Sequence, residues 1–82
     1  MYDDITRGID NIILVILIHT NNNTVEEISE KTGIKKEATY HLLEFLNIAG
    51  IVKKHDNRYI VDKTTRSTAT LIIDLQGLDL IN

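Results

Sequence analysis

Between Thr24 and Val61 the apolar residues recur at helical spacing on both sides of Gly33 and change to alternation after Gly50, and this stretch most constrains what the chain can become. The Thr24 hydroxyl can cap a helix, and Glu27 three residues on can reach back to complete a capping box. Val25 and Ile28 then face inward, while Glu26, Glu27, Ser29 and Glu30 stay in water. Lys31 lies near the helix end, where a cation suits the dipole. Gly33 can take the left-handed conformation that closes this helix, and Ile34 plugs the space before the next. The spacing predicts a second helix from about Lys36 to Ala49, with Thr39, Leu42, Leu43, Leu46 and Ala49 on one side and Ala38 and Phe45 flanking them. Its opposite arc holds Lys36, Glu37, Tyr40, His41 and Glu44. Gly50 ends that helix and Ile51-Val52 starts a strand. Lys53, Lys54 and His55 lead into a three-residue tip around the turn pair Asp56-Asn57, and Arg58–Val61 returns as a second strand.

The flanks are apolar. A first helix is expected over about residues 4–20, with Ile5, Ile9, Ile12, Ile13, Ile16 and Leu17 as its main stripe. Leu14, Val15 and Ile18 fall on the other side, so this helix needs cover on more than one face. Thr20 and the three asparagines after it read as a polar turn. In residues 63–82, Leu71, Leu75 and Leu78 make a helical stripe with Ile72, although Leu71, Ile73 and Leu75 also alternate as a strand would. Length favours a helix over about 65–80, while the threonines and Gly77 oppose it. The expected whole is one domain over residues 1–82: mainly α with a small β-hairpin, an N-terminal helix, two helices around a turn over 24–50, a hairpin over 51–61 and a C-terminal segment over 63–82. That segment and the first helix together carry more apolar surface than so short a chain can cover. A homodimer resting on Leu14, Val15, Ile18, Leu71, Ile72, Leu75 and Leu78 is therefore expected.

Composition narrows the chemistry. The chain has no cysteine, which removes disulfides, thiolate metal sites and cysteine nucleophiles, and is compatible with the cytoplasm expected for it. The apolar run Ile12–Ile18 is far short of the roughly 20 residues of a membrane span, and Asp3 and Asp4 do not suit a secretion signal, so no membrane association is expected. Net charge is −3, yet eight of the nine basic residues lie between Lys31 and Arg66 with only four acids. Such segregation can offer a basic face to phosphates; an ordinary mixed surface gives the same count. Ser29 and Ser67 lack a nucleophile signature and no glycine-rich phosphate loop exists, so no enzyme, no cofactor and no small-molecule ligand is expected.

Two helices around a glycine turn, followed by a hairpin, form a helix-turn-helix with a wing, which presents its second helix to the major groove of DNA. The stretch ATYHLLEFLNIAGIV followed by KKHDNRYIV resembles the recognition helix and wing of ArsR-type and IclR-type winged-helix transcription regulators. The layout is also similar to small archaeal regulators with a C-terminal dimerisation helix. The resemblance covers about Thr24 to Val61 and implies sequence-specific binding of double-stranded DNA by a dimer, usually for repression. It puts Lys36, Glu37, Ala38, Tyr40 and His41 at the DNA-facing helix positions and Lys53 through Arg58 in the wing. The chain departs from the pattern in starting that helix with Lys35-Lys36-Glu37, in lacking metal-sensing cysteines and in having no following effector domain.

The candidate site residues are Lys35, Lys36, Glu37, Tyr40, His41, Lys53, Lys54, His55 and Arg58. Lys35 and Lys36 oppose the helix dipole unless a phosphate docks there; otherwise they are solvated surface lysines. Tyr40 and His41 could touch base edges, or Tyr40 could simply cover its neighbours. Lys53, Lys54, His55 and Arg58 suit the DNA backbone or minor groove, and equally protect an edge strand. His41 with Glu37 and Glu44 is a weak metal-ligand set, and no metal is expected. The glutamates repel phosphate unless they read cytosine amino groups, which leaves a second expectation of another class: a winged-helix protein-interaction module in a larger assembly.

Overall fold

The structure, a computed structural model, describes the backbone of residues 11–81 and the side chains of residues 11–76. The described residues form four helices and a three-stranded antiparallel sheet, a mostly helical α+β arrangement. In chain order these are α1 (described over 11–18), β1 (Asn21–Asn23), α2 (Val25–Thr32), α3 (Lys36–Ile48), β2 (Lys53–His55), β3 (Arg58–Ile60) and α4 (Lys63–Ile81). The part of the first helix expected over 4–10 lies outside the described residues.

The pair α2–α3 forms as its residues dictate. Thr24 Oγ1 accepts from the Glu27 amide at 3.2 Å, and Glu27 Oε1 accepts from the Thr24 amide at 2.9 Å, so both halves of the capping box are made. Gly33 sits at φ 75° and sends its amide to the Ser29 carbonyl, closing α2. The Ser29 hydroxyl donates to the Ile34 carbonyl at 2.6 Å, which ties the end of α2 to the connection that follows. α3 drives Leu43, Leu46 and Thr39 into the core, and the Thr39 hydroxyl is spent on the Lys35 carbonyl at 3.0 Å. Ala49 departs from the expected inward stripe: it is the C-cap, one residue past the last helical turn, and lies exposed.

The core joins Ile16 and Leu17 of α1, Ile28, Leu43, Leu46, Val52, Tyr59, Val61 and Ala69 of α4. Leu14 and Ile18, expected behind the main stripe of the first helix, pack against this core and are half-buried. Part of the second face of α1 is thus covered within the chain. At the end of α1 the Thr20 hydroxyl is buried on the Ile16 carbonyl at 2.5 Å, and His19 Nδ1–H donates to the Val15 carbonyl at 2.8 Å.

The sheet corrects the sequence reading in three places. Residues 21–23, expected as a turn, are a strand that pairs with β3, so the order is β1-β3-β2 with β3 central. Asn21 lies opposite Ile60 and Asn23 opposite Tyr59, and Asn22 bulges between them at φ 63°. Asparagine tolerates that left-handed conformation, and the hydrogen bonds of β3 supply what three asparagines lack in strand propensity. The expected three-residue tip is a two-residue turn, Asp56-Asn57, between paired His55 and Arg58, with Asp56 at φ 57°. Ile51 and Val52 form a bend rather than the start of β2, because both amides return to the Leu46 carbonyl at the end of α3.

The C-terminal segment is a helix, not a strand. It begins two residues earlier than expected, because Asp62 Oδ1 accepts from the Thr65 amide at 2.9 Å and its carbonyl accepts from Arg66. Only Ala69 of this helix is fully buried among the described side chains; Leu71, Ile72 and Leu75 are exposed. The side chain of Leu78 lies outside the described residues. No described helix is long and apolar enough to cross a membrane.

Candidate functional site

The exposed face of α3, the N-terminal turn of α2 and the outer side of the hairpin enclose an open groove of about 700 Å³. It brings together Lys36, Glu37, Tyr40 and His41 of α3 with Lys54 of β2 and Glu26 of α2. The Tyr40 and His41 rings meet edge to face, 5.4 Å between centroids at 64°, which orders two exposed side chains on the groove wall. Lys35 is the N-cap of α3 and makes no side-chain cap, so the first amides of that helix keep no capping side chain.

Tyr59 holds the hairpin to α3. Its ring is buried and its hydroxyl donates to Glu44 Oε2. Lys54 Nζ reaches the same carboxylate oxygen at 3.5 Å and lies 5.4 Å from the centre of the Tyr59 ring. Glu44 is therefore half-buried and engaged, although the helical wheel puts it on the wet arc. The Tyr59 hydroxyl bond first, then the Lys54 charge, hold the Glu44 carboxyl below its usual range. Burial first, then the Glu44 bond, push the Tyr59 phenol well above its ordinary value. Tyr59 is buried together with Val61, two residues on and just past the end of β3, and that alternation is the sequence signal that could have marked it as a core residue.

Three of the candidate cations are paired within the chain. Lys36 Nζ lies 2.9 Å from Glu26 Oε1. Arg58 Nη1 donates to the Asn22 carbonyl at 2.8 Å and to Glu27 Oε1 at 3.3 Å, clamping the β1 bulge to the start of α2. The hydrogen bond from Lys36 leads in lowering the Glu26 carboxyl below its ordinary value; for Glu27 the Thr24 amide leads and Arg58 adds to it. Glu26, Glu27 and Asn22 were not among the site residues expected from sequence, since each partner is distant along the chain. His55 is exposed at the hairpin tip, 3.7 Å from the carboxylate of neighbouring Asp56. Lys35 and Lys53 are exposed and make no ion pair among the described residues.

The structure thus gathers Lys36, Glu37, Tyr40, His41 and Lys54 in one groove, while Arg58 turns to the β1 side and His55 to the tip. Among the described residues no three His, Cys, Asp or Glu side chains come together as a metal ion requires. Compared with known proteins, the chain matches no family model, no curated protein and no solved structure.

Proposed function

We propose that this is a homodimeric winged-helix protein that binds double-stranded DNA sequence-specifically and regulates transcription, as a repressor. The observation that carries the reading is the groove in which α3 and the hairpin present Lys36, Tyr40, His41 and Lys54 together. Thirteen residues make α3 about 20 Å long, which suits the major groove. Its N-terminus has no capping side chain, so its amides and the adjacent Lys35 and Lys36 can meet a backbone phosphate. Tyr40 and His41, one turn further along, then lie at the base edges, with Glu37 available to accept from a cytosine amino group. In this reading the hairpin is the wing, with Lys54 on phosphates, while Lys53, on the other face of β2, lines the cleft beside α4.

A second reading, a protein-interaction module, is favoured by one specific feature. The same helix exposes Phe45 at 61% and Ile48 at 86%, and the groove cations already have carboxylate partners. Fluorescence anisotropy with duplex DNA at two salt concentrations separates the two. DNA binding is expected to weaken with salt, by about −0.9 in the log–log slope per phosphate neutralised. Lys54→Ala is expected to flatten that slope for every sequence, and Tyr40→Ala to shrink the gap between preferred and random DNA. No binding at low salt overturns the DNA reading in favour of the protein partner.

A further inference from the structure

On the side away from the groove of α3, the first three turns of α4 face Leu14 and Leu17 of α1, Ile51, and Lys53 and Ile60 of the hairpin across a mainly apolar cleft of about 660 Å³, with Asp62 also in its lining. The helix contributes Thr64 and Thr68 to its outer wall. Along the same face, four and seven residues beyond Thr64 and then at Leu75, the row continues as Thr68, Leu71 and Leu75, with Leu71 58% and Leu75 52% exposed. One helix face therefore carries a hollow at its beginning and an apolar ridge further on. We propose that the occupant of the cleft is the α4 ridge of a second copy of this chain, packed antiparallel, so that each Leu75 enters the partner's cleft between Thr64 and Thr68.

This inference rests on the homodimer part of the functional reading and assigns its geometry. A hollow and a ridge on one face are self-complementary only under a two-fold axis across the helices, which makes the interface isologous and closes it at two copies. Charge supports the same direction. Residues 63–70 contain Lys63 and Arg66 and no acid, whereas residues 71–82 contain Asp74 and Asp79 and no base. Antiparallel packing lays the basic half of one helix along the acidic half of the other, whereas parallel packing lays like halves side by side.

Because the chain has no cysteine, single introduced cysteines report the geometry. Under mild oxidation Leu71→Cys, near the axis, is expected to link to itself. Thr64→Cys is expected not to, since the two copies would stand about 18 Å apart along the helices. A mixture of Thr64→Cys and Leu75→Cys is expected to give the mixed disulfide. Self-linking of Thr64→Cys as readily as Leu71→Cys marks another packing and overturns the proposal. Sedimentation of the full chain is expected to show a dimer at micromolar concentration. Leu75→Asp is expected to weaken it by about 100-fold or more with unchanged helical circular dichroism, since Leu75 lies outside the monomer core. A wild-type monomer at that concentration overturns the pairing. The anisotropy titration of the same sample keeps the two readings apart, since a DNA-binding monomer leaves DNA recognition standing and a dimer without DNA affinity leaves this interface standing.

Discussion

Glu44 receives both the Tyr59 hydroxyl and the Lys54 ammonium, and Glu27 receives both the Thr24 amide and Arg58, so two carboxylates each join an element that the chain brings from far away. In a DNA-binding role the same carboxylates compete with phosphate for their cations. Glu26→Gln is expected to leave Lys36 to the solvent and to strengthen DNA binding severalfold at low salt, measured by anisotropy; an unchanged affinity would show that Lys36 does not reach the DNA. The bulge tests a different property of a single residue. At Asn22, with φ 63°, a Val substitution is expected to cost about 1–2 kcal/mol in urea unfolding, whereas Gly is expected to be close to neutral. The sequence shows the residue types at these positions but not their partners. Arg58 reads as a wing cation because nothing local reveals that Asn22 and Glu27, more than thirty residues earlier, will take its guanidinium.

Among the elements, legibility follows how locally each is determined. α2 carries its own start and stop in Thr24, Glu27 and Gly33, and its bounds come out as those residues dictate. β1 carries nothing of the kind: it becomes a strand only because β3 offers it an edge, so it reads as a turn until the fold exists. The helix α4 lies between these cases. Its apolar stripe marks it as a helix, its threonines and Gly77 pull the other way, and its start two residues early is set by the Asp62–Thr65 bond that appears only in the fold. Of the candidate site, the arc of α3 is legible from periodicity, and the coupling of hairpin to helix through Tyr59 is not, because a strand tyrosine gives no sign of the carboxylate it will meet. The caps permit sharp tests. Thr24→Ala is expected to lower stability by about 1 kcal/mol in urea unfolding. For Gly33→Ala the added methyl would meet nothing within 4 Å, so the expected loss of about 1 kcal/mol comes from φ 75° alone.

For the molecule as a whole, stability has a pH dependence of defined sign. Glu26, Glu27 and Glu44 are all held below their ordinary value of 4.5 in the folded chain, and Asp62 is held below 3.8 by its bonds with Thr65. A depressed folded pKa means that the unfolded chain binds protons first. The stabilisation is therefore complete above the ordinary values and is lost as pH falls from about 4.5 through the lower folded ones. Thermal melts are expected to be flat from pH 7 to about 5 and to drop steeply below pH 4.5. Glu27→Gln is expected to sit below wild type at neutral pH and to converge with it near pH 3; parallel curves would remove Glu27 from this role.

The pairing of β1 with β3 spans the whole of α2 and α3, with Asn22 and Arg58 separated by 36 residues. Closing so long a loop is entropically costly, whereas the α2–α3 corner and the β2–β3 hairpin form from neighbours. The sheet is therefore expected to gain its third strand after the main folding barrier, and α1, anchored just before β1, to dock with it. Stopped-flow kinetics can read this order. Asn23→Ala is expected to speed unfolding and leave the refolding rate nearly unchanged, while Leu43→Ala, in the corner, slows refolding. By the same ordering, the first strand to leave under native conditions is β1, and hydrogen exchange at residues 21–23 should outpace that of the hairpin amides while the groove between α3 and the hairpin stays assembled.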